Sequence, residues 1–195
     1  SKNSFVRLGY ELGRLLKSDK PDLLHVQYTA PLGCSVPVVV SVHDIIFIEH
    51  PEYFPWPRTV QLRITVKRTV QNAAKIITPS EFSRRCIIRE YGVDESKVVV
   101  VPIAVSSEFR PISSDLAAQK VQGRFGIARP YILTVGDLQP RKNHIGLIRA
   151  FEQLIRENPS LPHKLVMVGK DTWFAGRVRA AAASSPLANR VHFTA

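Results

Sequence analysis

The chain has 195 residues, 45% of them hydrophobic and 22% charged, and its 27 Lys and Arg against 16 Asp and Glu give a net charge of +11. Hydrophobicity at that level excludes an intrinsically disordered chain, and the lack of an unbroken apolar run of ~18 residues excludes a membrane-spanning helix. A chain of this length fits one or two domains.

In chain order, residues 23–28 (LLHVQY) and 37–43 (PVVVSVH) read as strands, followed by a helix whose apolar face steps through Leu62, Val66, Val70 and Ala73. Residues 75–80 (KIITPS) and 97–102 (KVVVVP) are two further strands. All four runs are continuously apolar rather than alternating, the pattern of parallel strands covered on both faces. The helix between the last two has clear ends: Ser80 as N-cap, Glu81 in the first turn and Gly92 just past Tyr91. Residues 103–128 lose this rhythm and collect serine, proline and polar residues, so a domain boundary is placed there, dividing residues 1–105 from 106–195.

The rhythm then restarts. Residues 131–136 (YILTVG) form a strand, and Asn143 caps a helix with the face Leu147, Ile148, Phe151, Leu154 and Ile155, which ends at Asn158-Pro159. Residues 164–169 (KLVMVG) form the next strand, residues 174–183 an alanine-rich helix, and residues 190–194 the start of another strand. Alternating β and α units predict parallel, doubly wound sheets. The chain opens on Ser1 and closes on Ala195 within an apolar run, and so reads as an internal piece of a longer protein in which both domains are cut short.

Residues 1–102 carry 14 basic and 10 acidic groups, residues 103–195 carry 13 and 6, so the positive excess concentrates in the second half. A basic surface serves nucleic acid, an anionic membrane or a phosphorylated ligand. The basic residues are scattered apart from Arg84-Arg85 and Arg141-Lys142, with no aromatic-interleaved basic strand, so nucleic acid is not an expected partner.

In open parallel sheets, ligands sit beyond the carboxyl ends of the strands. Two loops at such ends carry chemistry. The first runs Gly136-Asp137-Leu138-Gln139-Pro140-Arg141-Lys142-Asn143, leaving a strand through a glycine and entering a helix N-terminus. Free backbone N–H groups, the positive end of the helix dipole and two cations converge there on an anion site, best suited to phosphate. The alternative is a solvated basic turn that caps a helix. The loop is neither a Walker A motif nor the G-x-G-x-x-G fingerprint.

The second loop is Val42-His43-Asp44, where His43 can donate a hydrogen bond to a substrate oxygen or shuttle a proton. The alternative is a histidine bonded within its own turn. His25, inside a strand, reads as core. His50, His144, His163 and His192 have no metal-ligand spacing, and no D-x-D pair occurs, so no metal site is expected. The absence of a G-x-S-x-G elbow argues against a serine hydrolase. Cys34 and Cys86 cannot make a disulfide framework or a four-ligand zinc site, and read as buried free thiols of a reducing compartment. The helix bearing Arg58, Arg63, Lys67 and Arg68, next to Phe54 and Trp56, offers a basic amphipathic surface for peripheral contact with anionic lipid, or else an ordinary solvated face.

Five segments in order, SVHDIIFIEHPEYF (41–54), AAKIITPSEFSRR (73–85), KVVVVPIAVSSEFRP (97–111), YILTVGDLQPRKN (131–143) and LVMVGK (165–170), make the chain resemble glycosyltransferase family 4, and most closely its bacterial mannosyltransferase-like members. The resemblance implies a retaining enzyme of the GT-B fold, with two facing Rossmann-like parallel-sheet domains, both truncated in this chain. Residues 1–105 would be the C-terminal part of the acceptor-side domain and residues 106–195 the N-terminal part of the donor-binding domain. It implies a hexosyl, preferentially mannosyl, transfer from a nucleotide sugar (GDP-mannose or a UDP-sugar) to a glycan or lipid-linked acceptor. The setting would be polysaccharide or cell-envelope biosynthesis, in the cytoplasm at the inner membrane face, without metal or prosthetic group.

Gly136, Arg141, Lys142, Asn143 and Lys170 would hold the donor diphosphate, with Gly136 allowing close backbone approach, and His43 would act near the transferred sugar. Two departures stand out. Ile103-Ala104 follow Pro102 where the family has an Asn-Gly pair, and Asp137 occupies a position often held by arginine. The family's glycine-rich acceptor loop and its glutamate pair are expected outside residues 1–195. A degenerate nucleotide-binding or scaffold domain and a GT-B sugar-nucleotide epimerase are the alternative functions.

Overall fold

The computed structural model describes residues 10–194. The chain forms two compact units, Ser1–Ser106 and Ser107–Ala195. The first unit comprises α1 (Leu12–Asp19), β1 (Leu24–Gln27), β2 (Val38–Ser41), α2 (Ile46–Glu49), α3 (Trp56–Asn72), β3 (Lys75–Thr78), α4 (Glu81–Tyr91) and β4 (Val98–Val100). Its four strands are parallel and run in the order β1-β2-β3-β4, with Val40 beside Ile76 and Ile77 beside Val99.

The predicted α/β alternation holds, and its residues explain it. Val66, Val70 and Ala73 of the predicted helical face are buried against Val40, Val42, Ile76 and Ile87. Each valine or isoleucine among them taken out of water contributes roughly 1.5–3 kcal/mol. α4 begins where the Ser80 hydroxyl accepts from Ser83 N at 3.2 Å, and it ends at Gly92 with φ 62°, a left-handed turn that glycine adopts without a Cβ penalty.

One crossover breaks the pattern. Residues 28–37 join β1 to β2 without a helix, although parallel neighbours are usually linked through one. Hydroxyls of α3 hold this segment instead. Thr69 Oγ1 accepts from Ala30 N at 2.9 Å, and Thr29 Oγ1 donates to Thr65 Oγ1 at 3.1 Å. The same region corrects two expectations. His25 is exposed rather than core, because it alternates outward on the edge strand β1, where its Nε2 meets Ser41 Oγ at 2.8 Å. Cys34 is only part-buried, its thiol donating to Val36 O at 3.4 Å, whereas Cys86 is buried; both are free thiols.

The second unit comprises α5 (Ser114–Phe125), β5 (Tyr131–Val135), α6 (His144–Glu157), β6 (Lys164–Val168), α7 (Ala175–Ala183) and β7 (Val191–Thr194). Its parallel sheet runs β5-β6-β7, with Val135 beside Val168. Ile148, Phe151 and Ile155 of α6, Val178 and Ala182 of α7, and Leu165 and Met167 of β6 form the core. α5 is a helix inside the stretch read as irregular. Ser113 caps it through Leu116 N at 3.4 Å and Gly126 closes it at φ 67°, yet none of its residues is buried. Cover on both faces is most complete on the interior strands β2 and β6, whereas Lys75 opens β3 exposed and, on β5 at the end of its sheet order, Val135 is 71% exposed.

Candidate functional site

Both loops singled out in the sequence lie at carboxyl ends of strands. In the first unit, Val42 N continues the sheet by donating to Ile77 O at 2.8 Å, and the chain then turns outward at the half-buried His43. The main-chain oxygen of His43 accepts from the Ser83 hydroxyl of α4 at 3.1 Å. Its ring stands edge-on to Tyr28, with centroids 5.9 Å apart at 65°. The exposed Asp44 accepts from Ile46 N at 3.3 Å and so opens α2. The His43 backbone is thus pinned by a neighbouring helix, while its imidazole nitrogens make no hydrogen bond to a described residue.

In the second unit the loop after β5 is tied to the loop after β6. Gly136 N donates to Val168 O at 2.8 Å, Leu138 N to Lys170 O at 3.1 Å, and Lys170 N to Asp137 Oδ1 at 3.4 Å, while the Thr172 hydroxyl donates to Leu138 O. The two chains approach so closely that a Cβ on Gly169 would stand 2.0 Å from Gly136 O. Gly169 is thus the glycine that lets these two loops meet backbone to backbone. At Gly136 the space is taken by Lys142, whose Cε, Cδ and Cγ lie 3.4–3.7 Å from where a Cβ would be. The lysine stem runs along the glycine, which sets the direction of its ammonium group.

Residues 140–142 make a single 3-10 turn, and Asn143 sits at φ 50° with its side chain accepting from Gly146 N at 3.3 Å, the predicted cap of α6. The side-chain oxygen of Asn143 is thereby committed to the helix. The other amides of the first turn have no intrahelical partner, and the dipole of a 14-residue helix ends there. Arg141 Nε donates to Gln139 Oε1 at 3.1 Å. Among the described residues neither Arg141, Lys142 nor Lys170 pairs with a carboxylate, and all three are exposed. Gly136, Arg141, Lys142, Asn143 and Lys170 thus share one strand edge of the second unit, and His43 belongs to the first.

Behind the cations lies His144, which the sequence reading passed over. It is 2% exposed and its Nδ1 has no hydrogen-bond partner. Burial, and then the charge of Lys142, hold its pKa below the ordinary 6.5 and so favour the uncharged imidazole. Gly169 and Thr172 were also missed. Their signal was a glycine directly after the strand 164–168 and a hydroxyl three residues on.

Among the described residues no helix is long and apolar enough to cross a membrane. The solved structure of Anabaena Alr3699/HepE in complex with UDP and glucose superposes with a TM-score of 0.67 at 21% identity, covering 100% of this chain and 54% of that one. The fold is GT-B. O-antigen chain mannosyltransferase B of Escherichia coli is 31% identical over 136 residues, 69% of this chain and 35% of that protein. D-inositol 3-phosphate glycosyltransferase of Nocardia farcinica is 26% identical over 137 residues, 69% of this chain and 30% of that protein. The chain spans about a third of the length of these curated relatives. The family profile "Glycosyltransferase Family 4" matches residues 3–109, more than half of the chain, and the chain belongs to that family.

Proposed function

We propose that the protein is a retaining hexosyltransferase that moves a hexosyl group, mannosyl in the favoured reading, from a nucleotide sugar to a glycan or lipid-linked acceptor in polysaccharide or cell-envelope biosynthesis. The donor is GDP-mannose or a UDP-sugar. The observation that carries this reading is the exposed pair Arg141 and Lys142 at the N-terminal end of α6, without a carboxylate partner among the described residues, with the Lys142 stem laid along Gly136. The mannosyltransferase name of the Escherichia coli relative and the UDP bound to the Anabaena protein support it.

In this reading the bond between the sugar's anomeric carbon and the phosphate oxygen breaks, with its electrons passing to the leaving diphosphate. The acceptor oxygen bonds to the same carbon from the same face, and its proton passes to the departing phosphate oxygen. Arg141, Lys142, Lys170 and the α6 dipole stabilise the charge that develops on the diphosphate, an effect worth most when the donors are fixed in advance. Residues 1–105 form the acceptor side and residues 106–195 the donor side, and His43 acts at the transferred sugar. Lys142→Ala should lower turnover by about 100-fold or more, by analogy with the loss of one fixed donor to a developing oxyanion. Unchanged turnover and donor affinity would remove the phosphate assignment. A nucleotide-binding scaffold would bind the donor without consuming it, and an epimerase would convert the donor sugar without releasing nucleoside diphosphate.

The reading places the enzyme in the cytoplasm, in peripheral contact with the inner membrane face. Support comes from α3, which carries Arg58, Arg63, Lys67 and Arg68 and no acidic residue, and exposes Trp56 (77%) and Ile64 (65%). Arg68 is turned inward to Ala30 O, and Arg63 donates to Ile48 O at 3.3 Å. None of the four pairs with a carboxylate among the described residues. An exposed indole beside unpaired cations suits an anionic interface. The protein should float with phosphatidylglycerol vesicles at low salt and not with phosphatidylcholine vesicles, and Trp56→Ala should weaken flotation. Equal behaviour on both lipids would end the membrane part of the reading.

A further inference from the structure

A nucleoside diphosphate presents two chemistries, a charged tail and a flat aromatic base, and the loops described so far account only for the first. The exposed Phe, Tyr and Trp side chains of the described second unit are Phe109, Phe125 and Trp173. Phe109 precedes α5, and Phe125 lies at its end under the Arg124 guanidinium, 5.3 Å from the ring centroid. Trp173, 57% exposed, stands on the loop that leaves β6, three residues beyond Lys170.

That loop is held rather than free. Thr172 reaches back to Leu138 O with its hydroxyl and accepts from Phe174 N at 3.3 Å with the same oxygen, while Ala175 N closes onto Thr172 O at 3.0 Å. Both residues that flank Trp173 are therefore fixed to the phosphate loop or to the start of α7. The indole itself meets Phe174 edge to face, with centroids 5.6 Å apart at 72°, and Arg177 stands 5.4 Å over the Phe174 ring. A large apolar ring is thus held in water on an anchored loop, at the same strand ends as Lys170 and the Arg141–Lys142 turn. Holding it so forfeits burial, and a stacking partner would restore it.

We propose that Trp173 is the stacking platform for the donor's nucleobase, an inference that rests on the donor-diphosphate reading of the Lys142 loop. A π-face accepts any base, so this platform supplies affinity for the nucleoside rather than choice between uracil and guanine.

The test is titration calorimetry of the intact protein with UDP, GDP and inorganic pyrophosphate. Base–aromatic stacking removed by alanine predicts that Trp173→Ala weakens UDP and GDP by roughly ten-fold or more and leaves pyrophosphate unchanged. Trp173→Phe should recover most of the loss. Unchanged UDP and GDP affinity in Trp173→Ala would overturn the proposal. Equal loss of UDP and pyrophosphate would overturn it too, since that marks a structural role for the side chain. The diphosphate reading fails separately: it falls if Lys142→Ala leaves pyrophosphate binding intact, whatever Trp173→Ala does.

Discussion

The loops after β2 and β5 leave their sheets at equivalent ends, and they prepare their polar side chains in opposite ways. After β2 the chain is fixed through the backbone: the Ser83 hydroxyl holds His43 O and Asp44 starts α2, so the imidazole is the group left over. After β5 the chain is fixed by a second loop, through Gly136, Leu138, Lys170 and Thr172, and a cluster of cations is left over. One end presents a group that can hold or pass a proton, the other a field of positive charge. Position in a parallel sheet marks where chemistry can occur. The side chains that local hydrogen bonding leaves unspent decide which chemistry it is.

That contrast can be broken by substitution. The largest expected effect is on turnover. His43→Ala should cost about 100-fold or more, the usual scale for losing a group that acts on a proton. Its thermal midpoint should stay near the parent's, because the bond that anchors this loop goes to a main-chain oxygen that alanine retains. Full activity in His43→Ala would leave the first loop a structural turn.

Next come the two glycines of the second loop, assayed by urea unfolding. Gly169→Ala forces backbone overlap with Gly136 O and should destabilise by about 3 kcal/mol. Gly136→Ala only brings a methyl into ordinary contact with the Lys142 stem, and should change stability little. Equal losses at both would contradict the account of which glycine permits the close approach.

Smaller effects separate the helix caps. Ser80→Ala should cost about 1 kcal/mol through the lost cap on α4. Asn143→Ala should cost somewhat more, because it loses a cap and also leaves a non-glycine residue at φ 50° without its side-chain bond. Asn143→Gly should cost only a few tenths of a kcal/mol.

The smallest effect is a pH dependence. The His144 pKa is lowered in the folded protein, so the unfolded chain binds more protons below about 6.5, and stability should fall as pH drops through that value. Unfolding curves collected from pH 8 to 5 should lose this slope in His144→Phe. A slope that survives the substitution belongs to other groups.

Much of the fold was legible because its signals were local and redundant. β2, β3 and β6 carry apolar runs, Val38–Val40, Ile76–Ile77 and Leu165–Val168, and α4 announces itself with a serine at one end and a glycine at the other. α5 escaped because it buries none of its residues, so no apolar stripe marks it, and Gly123 interrupts its sequence. The helix-free crossover at 28–37 was invisible for a different reason: what holds it are Thr65 and Thr69, hydroxyls almost forty residues away. The site divides in the same way. Arg141, Lys142 and the Asn143 cap could be read from adjacency alone. Gly169, Thr172 and the buried His144 could not, because their roles arise only when the neighbouring loops meet.

The central claim is that the loop after β5 holds the donor diphosphate through Lys142. The most direct measurement is calorimetric titration of UDP, GDP and pyrophosphate into the wild-type protein and Lys142→Ala, with folding checked by circular dichroism. The account predicts that all three ligands bind the wild type and that all three are weakened in the variant by a similar factor, because the lost contact is to the part they share. Binding of all three unchanged in a folded Lys142→Ala protein would contradict it.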